Sequence, residues 1–423
     1  MIGSRIEQYM RLIHTSDWHL GHTLHEISRR AEHLAFFDWL LGRLQALQAD
    51  ALLVAGDIFD TANPSAEAQA DLYRFLATAR QRLPGLDIVL IGGNHDSASR
   101  LDAPEPLLQA FGVRVVGGLP RGADGAVDYG RLVVPLTDRA GAEAALVVAM
   151  PFLRPADLPI VREEGVDPLI EGVRRVYREV IEHAERRRAP GQALLAMGHL
   201  YMTGTAVSEL SERKILGGNQ HALPADVFPE SLAYVALGHL HLAQPVTREA
   251  VRYSGSPIPL SMAEIDYPHQ ICVVDIAEGQ LVSVMAERVP RKVELLRVPA
   301  EAQPLADAEA ALAALDSRAH LPPDEQPIVE VPVQLTRPEP ALRSRIEQAL
   351  QGKGVRLARI SVRYTGHGQA LADALPTASL LDLQPEQVLR QCWARSHEGE
   401  PSGGLVEAFH QLTGEAQAEA GAA

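Results

Sequence analysis

Five short polar blocks lie between positions 17 and 241, and each follows an apolar run. They are Asp17-Trp18-His19, Gly56-Asp57, Gly93-Asn94-His95-Asp96, Gly198-His199 and Gly238-His239-Leu240-His241. Carboxylates, one amide and several imidazoles are ligands for hard or borderline divalent metal ions, and this set is large enough for two ions rather than one. Asp17 and His19 are two residues apart, as are His239 and His241, so on an extended segment each pair points the same way. A glycine precedes Asp57, Asn94, His199 and His239, where a tight turn or a close backbone approach lets the next side chain enter a crowded site. Cys272 and Cys392 lie far from every block, which excludes a thiolate zinc site. An oxygen and nitrogen site suited to Mn, Mg, Fe or Zn remains.

Taken singly, each block has an ordinary reading. A histidine at a strand end is usually a satisfied polar residue, and a lone Gly-Asp is mostly a turn. Gly-Asn-His-Asp is compatible with a turn leading to a helix cap. The five together, in this order, favour a site. His14, His22, His25, His33 and His221 carry no such weight, and His14 falls inside the first strand pattern as a core or supporting residue.

Ligands so far apart in sequence meet only if strands deliver them to one sheet edge. Leu12-Ile13, Ala51 to Ala55, Ile88 to Ile91, Ala193 to Met197 and Leu232 to Leu237 read as buried strands, each ending at a block. Ile27, Ala31, Leu34, Phe37, Leu41, Leu44 and Leu47 recur at helical spacing. Further helices are expected from about Ser65 to Arg82 and from Leu169 to Arg188, the latter with Arg186, Arg187 and Arg188 at its negative end. Alternating strands and helices imply a layered α/β fold. Residues 251–288 read as later antiparallel strands completing that core.

A second unit begins near Val289. It holds an Ala-rich helix (Glu301 to Leu315), a strand (Ile328 to Gln334), a helix (Pro340 to Leu350) and a strand (Val355 to Arg363). Gly366-His367-Gly368 starts a joint. Val388, Leu389, Cys392 and Trp393, then Leu405, Val406, Phe409 and Leu412, have the spacing of two short amphipathic helices that suit docking onto a partner.

Composition frames these readings. The 423 residues suffice for two or three domains. No apolar run approaches the ~20 residues of a membrane span, and Met1 to Met10 carries no signal-peptide core. Two separated cysteines give no disulfide framework, in keeping with a reducing compartment. The net charge of −15 opposes nonspecific binding to phosphates. Arg337, Arg343, Arg345, Lys353, Arg356, Arg359 and Arg363 form the one basic stretch, a candidate for contact with DNA set against the commoner reading of a solvated face. Gly352-Lys353-Gly354 lacks the spacing of a P-loop, so ATP is not expected to bind here by that motif.

The order Asp-x-His, Gly-Asp, Gly-Asn-His-Asp, Gly-His, Gly-His-x-His resembles the calcineurin-like metallophosphoesterases. Four further runs resemble one branch, the nuclease subunits of bacterial SbcC–SbcD complexes: residues His14 to Gly21, Gly56 to Asp60, Pro151 to Pro155 and Tyr253 to Ser261. The likeness is strong over about residues 10–290. Protein Ser/Thr phosphatases of the superfamily usually carry Gly-Asn-His-Glu, and Asp96 argues against them.

The resemblance implies a layered metallophosphoesterase β-sandwich flanked by helices, with a small α+β capping domain and C-terminal helices. Its bounds would be an extension at 1–9, a nuclease domain at 10–288, a capping domain at 289–366 and a linker with partner-binding helices at 367–423. Asp17, His19 and His241 would hold one ion, and Asn94, His199 and His239 a second, with Asp57 bridging. Mn2+ is the implied metal, with Mg2+ or Fe2+ open. His95 would face the scissile phosphate and assist the leaving oxygen, and Asp96 would orient His95 or cap a helix. The implied activity is 3′-to-5′ exonuclease on double-stranded ends and endonuclease on hairpin or blocked DNA. The implied partner is an SbcC-like coiled-coil ATPase, two copies of each subunit forming a heterotetramer in the cytoplasm, at the nucleoid and away from membranes. The alternatives are a small-molecule phosphodiesterase of the same superfamily and a non-catalytic scaffold.

Overall fold

Alternation along the strands explains the layers. In a computed structural model that describes residues 9–163, 165–206, 222–365 and positions 393, 405, 406 and 409, successive residues of each central strand face opposite ways. Leu53, Ala55, Val89 and Ile91 point into the space between two sheets, and join Leu195, Met197, Tyr234 and Ala236 there. Leu52, Val54, Ile88 and Leu90 point outward and pack on Phe36, Phe37, Leu40, Leu72, Phe75 and Leu76 of two covering helices. Both faces are apolar because both are buried.

The first sheet runs in the order Gln280–Arg288, Gln270–Ala277, Met10–Thr15, Ala51–Ala55, Asp87–Ile91, Val113–Val116. Its last four strands are parallel, and Gln270–Ala277 joins Met10–Thr15 antiparallel. The second sheet runs Gln244–Val246, Arg248–Tyr253, Tyr234–Gly238, Ala193–His199, Glu143–Ala149, Val133–Thr137. Here the expectation of antiparallel strands after residue 251 needs correcting. Arg248–Tyr253 pairs parallel with Tyr234–Gly238, and only the hairpin 270–288 is antiparallel throughout. The strands Val113–Val116, Val133–Thr137 and Glu143–Ala149 end at no polar block, so no ligand pattern marks them in the sequence.

Helices Arg30–Ala46 and Ala66–Arg82 cover the first sheet, and Pro168–Arg187 covers the second. Their starts are chemically marked. Ser65 Oγ accepts the Ala68 N–H, and Asp167 accepts those of Leu169 and Ile170, satisfying donors that have no partner in a helix's first turn. No described helix is long and apolar enough to cross a membrane.

A smaller four-stranded sheet follows, with Ile328–Leu335 at its centre and Arg356–Tyr364 beside it. Val329, Val331, Val333 and Leu335 pack on helices Leu305–Ala313 and Leu342–Ala349 through Leu305, Leu312 and Ile346. The basic stretch belongs largely to this unit's own structure. Arg343 pairs with Glu347, Arg345 with Glu309, Arg359 with Glu330, and Lys353 caps the carbonyls of Ala313 and Leu315. These contacts engage four of the seven cations, and Arg343 and Arg359 stay 74% and 48% exposed within their pairs.

The chain divides into two units, 1–363 and 364–423, and the features above belong to the first. Of the expected C-terminal helices, Trp393, Leu405, Val406 and Phe409 are described and are helical. Val388, Leu389, Cys392 and Leu412 lie outside the described residues.

Candidate metal centre

All five blocks meet at the ends of the parallel strands. Asp17 and His19 follow the strand Met10–Thr15, Asp57 follows Ala51–Ala55, and Asn94 follows Asp87–Ile91. His199 ends its strand, and His239 and His241 follow Tyr234–Gly238. A pocket between them is lined by His19, Asp57, Asn94, His95, His239 and His241, with His22, Asp60 and Leu260 among the walls.

The reason Asp17 and His19 point together differs from the expected one. Both have left-handed backbone, with φ of 53° and 47°, and Asp57 matches them at 49°. The N–H groups of Asp17 and His19 donate to the carbonyls of Gly56 and Asp57, locking the two loops side by side. Trp18 lies fully buried between the two ligands, edge-on to Phe36, Phe37 and Phe75 with ring centroids 5.9, 5.1 and 5.5 Å away. Burying a ring of this size stabilises by roughly 3 kcal/mol or more and anchors the ligand loop to the helix layer. Two glycines are dictated by crowding: a Cβ on Gly56 would sit 2.3 Å from His199 Nδ1, and one on Gly93 2.1 Å from Asp57 Oδ1.

Three groups of donor atoms lie within 4.8 Å of one another: Asp17, His19 and His241; His19, Asp57 and His95; Asp17, Asp57 and His199. Asp17, His19 and Asp57 each belong to two groups. Asn94 Oδ1 lies 2.9 Å from His199 Nε2 and 3.0 Å from His239 Nδ1, so the remaining expected ligands also converge.

The rings are held from behind. His19 Nδ1 donates to Asp60 Oδ1 at 3.1 Å, His199 Nδ1 to the Ala55 carbonyl at 2.9 Å, and His241 Nδ1 to Glu264 Oε1 at 3.0 Å. Such partners fix the tautomer and leave Nε2 for an ion. His19 Nε2 is buried without a hydrogen-bond partner, with Asp57 Oδ2 3.5 Å away. A buried orphan nitrogen is costly unless a cation takes its lone pair. The residues present therefore fit a divalent metal centre.

Electrostatics point the same way. Burial acts to raise the Asp57 carboxyl, but the adjacent His199 and His19 hold it well below the usual range. Burial acts to lower His199, and the Asp57 charge outweighs it and raises that imidazole. Burial and the neighbouring His199 push His239 down to about 3. A buried carboxylate thus demands a cation among its neighbours, the role a metal fills.

His95 lies on the pocket wall, and its Nδ1 donates to the Asp60 carbonyl at 2.7 Å. Asp96, expected to orient His95 or cap a helix, has three main-chain donors of its own. Asp96 accepts the N–H groups of Gly93, Ile58 and Phe59 at 2.9, 3.0 and 2.9 Å. It caps no helix; it clamps the Asp57 loop to the Asn94 loop. Burial, then the charge of Asp57, raises its carboxyl to about 6 against the pull of those three amides.

Asp60, Glu264 and His22 are site residues that the five blocks do not include. His22 Nδ1 also lies 3.0 Å from Asp60 Oδ1, and its Nε2 2.9 Å from the Leu260 carbonyl. The available signal for Asp60 was a second acidic residue three positions after Asp57. Nothing local marks Glu264. His14 is a core residue as expected, bonded to Tyr234 Oη and the Leu237 carbonyl and pushed by burial to about 3. His221 lies outside the described residues.

Comparison with known proteins agrees with this geometry. Residues 10–243 match the family described as calcineurin-like phosphoesterase, and residues 291–397 match the type 5 capsule protein repressor C-terminal domain. The D subunit of nuclease SbcCD from Rhodobacter capsulatus is 44% identical over 383 residues, covering 89% of this chain and 93% of that protein. The protein of the same name from Escherichia coli K12 is 36% identical over 290 residues, covering 66% and 68%. That from Bacillus subtilis is 35% identical over 277 residues, covering 64% and 67%. With the strand ends that carry the five blocks matched by the one family and residues 291–397 by the other, the chain belongs to the calcineurin-like phosphoesterases and, within them, to the family of SbcCD nuclease D subunits.

Proposed function

We propose that the chain is the nuclease subunit of an SbcC–SbcD-type complex. It hydrolyses phosphodiester bonds of double-stranded DNA ends in the 3′-to-5′ direction and cuts hairpin or blocked structures internally. The observation that carries this reading is the donor set gathered around Asp57, with His95 on the same pocket wall. Asp17, His19 and His241 would hold one ion and Asn94, His199 and His239 the other, with Asp57 shared between them. Imidazole, carboxylate and amide donors suit Mn2+. When bound, the two ions supply positive charge to the phosphate oxygens and acidify water for in-line attack.

The chain's own groups do the rest. His95, with Nδ1–H committed to the Asp60 carbonyl, turns Nε2 toward the phosphate, where as an imidazolium it would give a proton to the leaving oxygen and return to the neutral ring. Asp60 holds the His19 ring through its carboxylate and the His95 ring through its carbonyl. Asp96 keeps the two ligand loops together.

Residues 10–288 act as the nuclease domain, 289–366 as the cap that helps select DNA, and 367–423 as the segment that docks on the ATPase, with 1–9 an extension. Two copies of the chain associate within the complex. A groove lined by Tyr73, Leu76, Leu108 and Val113 and edged by Leu107 and Phe111, which are 71% and 66% exposed, supports self-association. The location is the cytoplasm, at the nucleoid.

The deciding experiment is cleavage of end-labelled duplex DNA by this chain with Mn2+, wild type against His95→Ala. Metal-dependent shortening that drops by about 10²–10⁴-fold in the variant, with Mn2+ binding retained, is expected. Cleavage by the variant at the wild-type rate would remove His95 from the mechanism.

A further inference from the structure

The turn Leu260–Glu264 touches both the metal centre and the cap. On the first side, Glu264 is fully buried. Its carboxylate accepts from His241 Nδ1 at 3.0 Å, from the Leu260 N–H at 2.8 Å and from Ser261 Oγ at 3.2 Å. On the other side, Met262 packs with Val293, Leu295 and Ile328 of the cap. The Met262 carbonyl accepts from Arg297 Nη2 at 3.0 Å, and Arg297 Nε is held by Glu330 at 3.0 Å. Met262 and Glu264 share one short 3-10 turn, Met262–Glu264. The residue that feels the cap and the residue that holds a ligand are thus two positions apart on one element.

We propose that Glu264 is a positioning residue through which docking of the cap sets metal affinity on the His241 side of the centre. This rests on the two-ion reading above. His241 offers Nε2 to an ion only while its Nδ1–H stays on Glu264, and an anionic partner also makes the ring a stronger ligand. Loosening Met262 from Arg297 and the cap core frees the turn to shift, and Glu264 shifts with it. A purely local Glu264, serving only its own turn, predicts that changes in the cap leave metal binding untouched.

The test is Mn2+ titration of the full chain, followed by electron paramagnetic resonance of free Mn2+ and by calorimetry. The variants are Glu264→Gln, Arg297→Ala and the double. Glu264→Gln preserves volume and an acceptor oxygen, and is expected to weaken one of two binding steps by about 10–100-fold. Arg297→Ala is expected to weaken the same step by about fivefold, the worth of one hydrogen bond. The double variant should be no weaker than Glu264→Gln, because both act along one route. Unchanged Mn2+ affinity in Arg297→Ala, or losses that add in the double, would overturn the coupling. If Arg297→Ala unfolds, Arg297→Lys replaces it, keeping a cation for Glu330 without the guanidinium fork. The same step must weaken there, and no change overturns the coupling equally. A wild-type chain that binds no Mn2+ fails differently, taking down the two-ion reading and the coupling with it.

Discussion

The backbone carbonyl of Asp60 receives the Nδ1–H of His95 at 2.7 Å, while the carboxylate of the same residue receives Nδ1–H of His19 at 3.1 Å. One loop residue therefore sets the angle of a candidate metal ligand and of the candidate acid. Only the second contact depends on its side chain. Asp60→Ala is expected to weaken Mn2+ binding by about 10–100-fold while leaving the His95 ring bonded to the main chain. Calorimetric titration checks the affinity. An unchanged affinity would show that His19 needs no partner on Nδ1.

Asp57 belongs to two donor groups, one with His19 and His95 and one with Asp17 and His199. Asp57→Ala should therefore lower the affinity for both ions, whereas His241→Ala should lower it for one. Counting Mn2+ equivalents bound at saturation separates the two variants. One ion held at wild-type affinity by Asp57→Ala would refute the bridging role.

Asp96→Ala leaves three buried N–H groups without an acceptor, those of Gly93, Ile58 and Phe59. Each such donor costs about 1–3 kcal/mol, so a loss of about 3 kcal/mol or more is expected. Urea unfolding of the metal-free chain measures it. A loss below about 1 kcal/mol together with lost turnover would return Asp96 to a role beside His95.

Glu330, on the central strand of the smaller sheet, gives a pH prediction. Burial acts to raise its carboxyl, but Arg359 and Arg297 outweigh it and hold the group below its ordinary value of 4.5. A depressed carboxyl contributes stability that is complete above 4.5 and is lost as the pH falls through its folded-state value. Melting of the wild-type chain should thus become less cooperative or shift downward in acid, and Glu330→Gln should flatten that slope. Equal slopes in both would place the acid sensitivity elsewhere.

The kind and order of the candidate ligands were legible in the sequence, because each block stands where an apolar run stops and parallel strands deliver their ends to one edge. Helix positions were legible within a few residues for a related reason. The spacing of Phe37, Leu41 and Leu44 reflects a face that must be buried, and Ser65 marks a start by its own chemistry. What the folded chain alone decided is which groups stand behind the ligands. Asp60, Asp96 and Glu264 are single acidic residues, whose neighbours along the chain do not distinguish a solvated carboxylate from one holding an imidazole or three amides. The left-handed backbone at Asp17, His19 and Asp57 was equally hidden, because it is imposed by hydrogen bonds between loops more than 35 residues apart. Ligand identity is a local property of residue type. Ligand orientation is set by contacts made across the sheets, and those exist only once the strands are side by side.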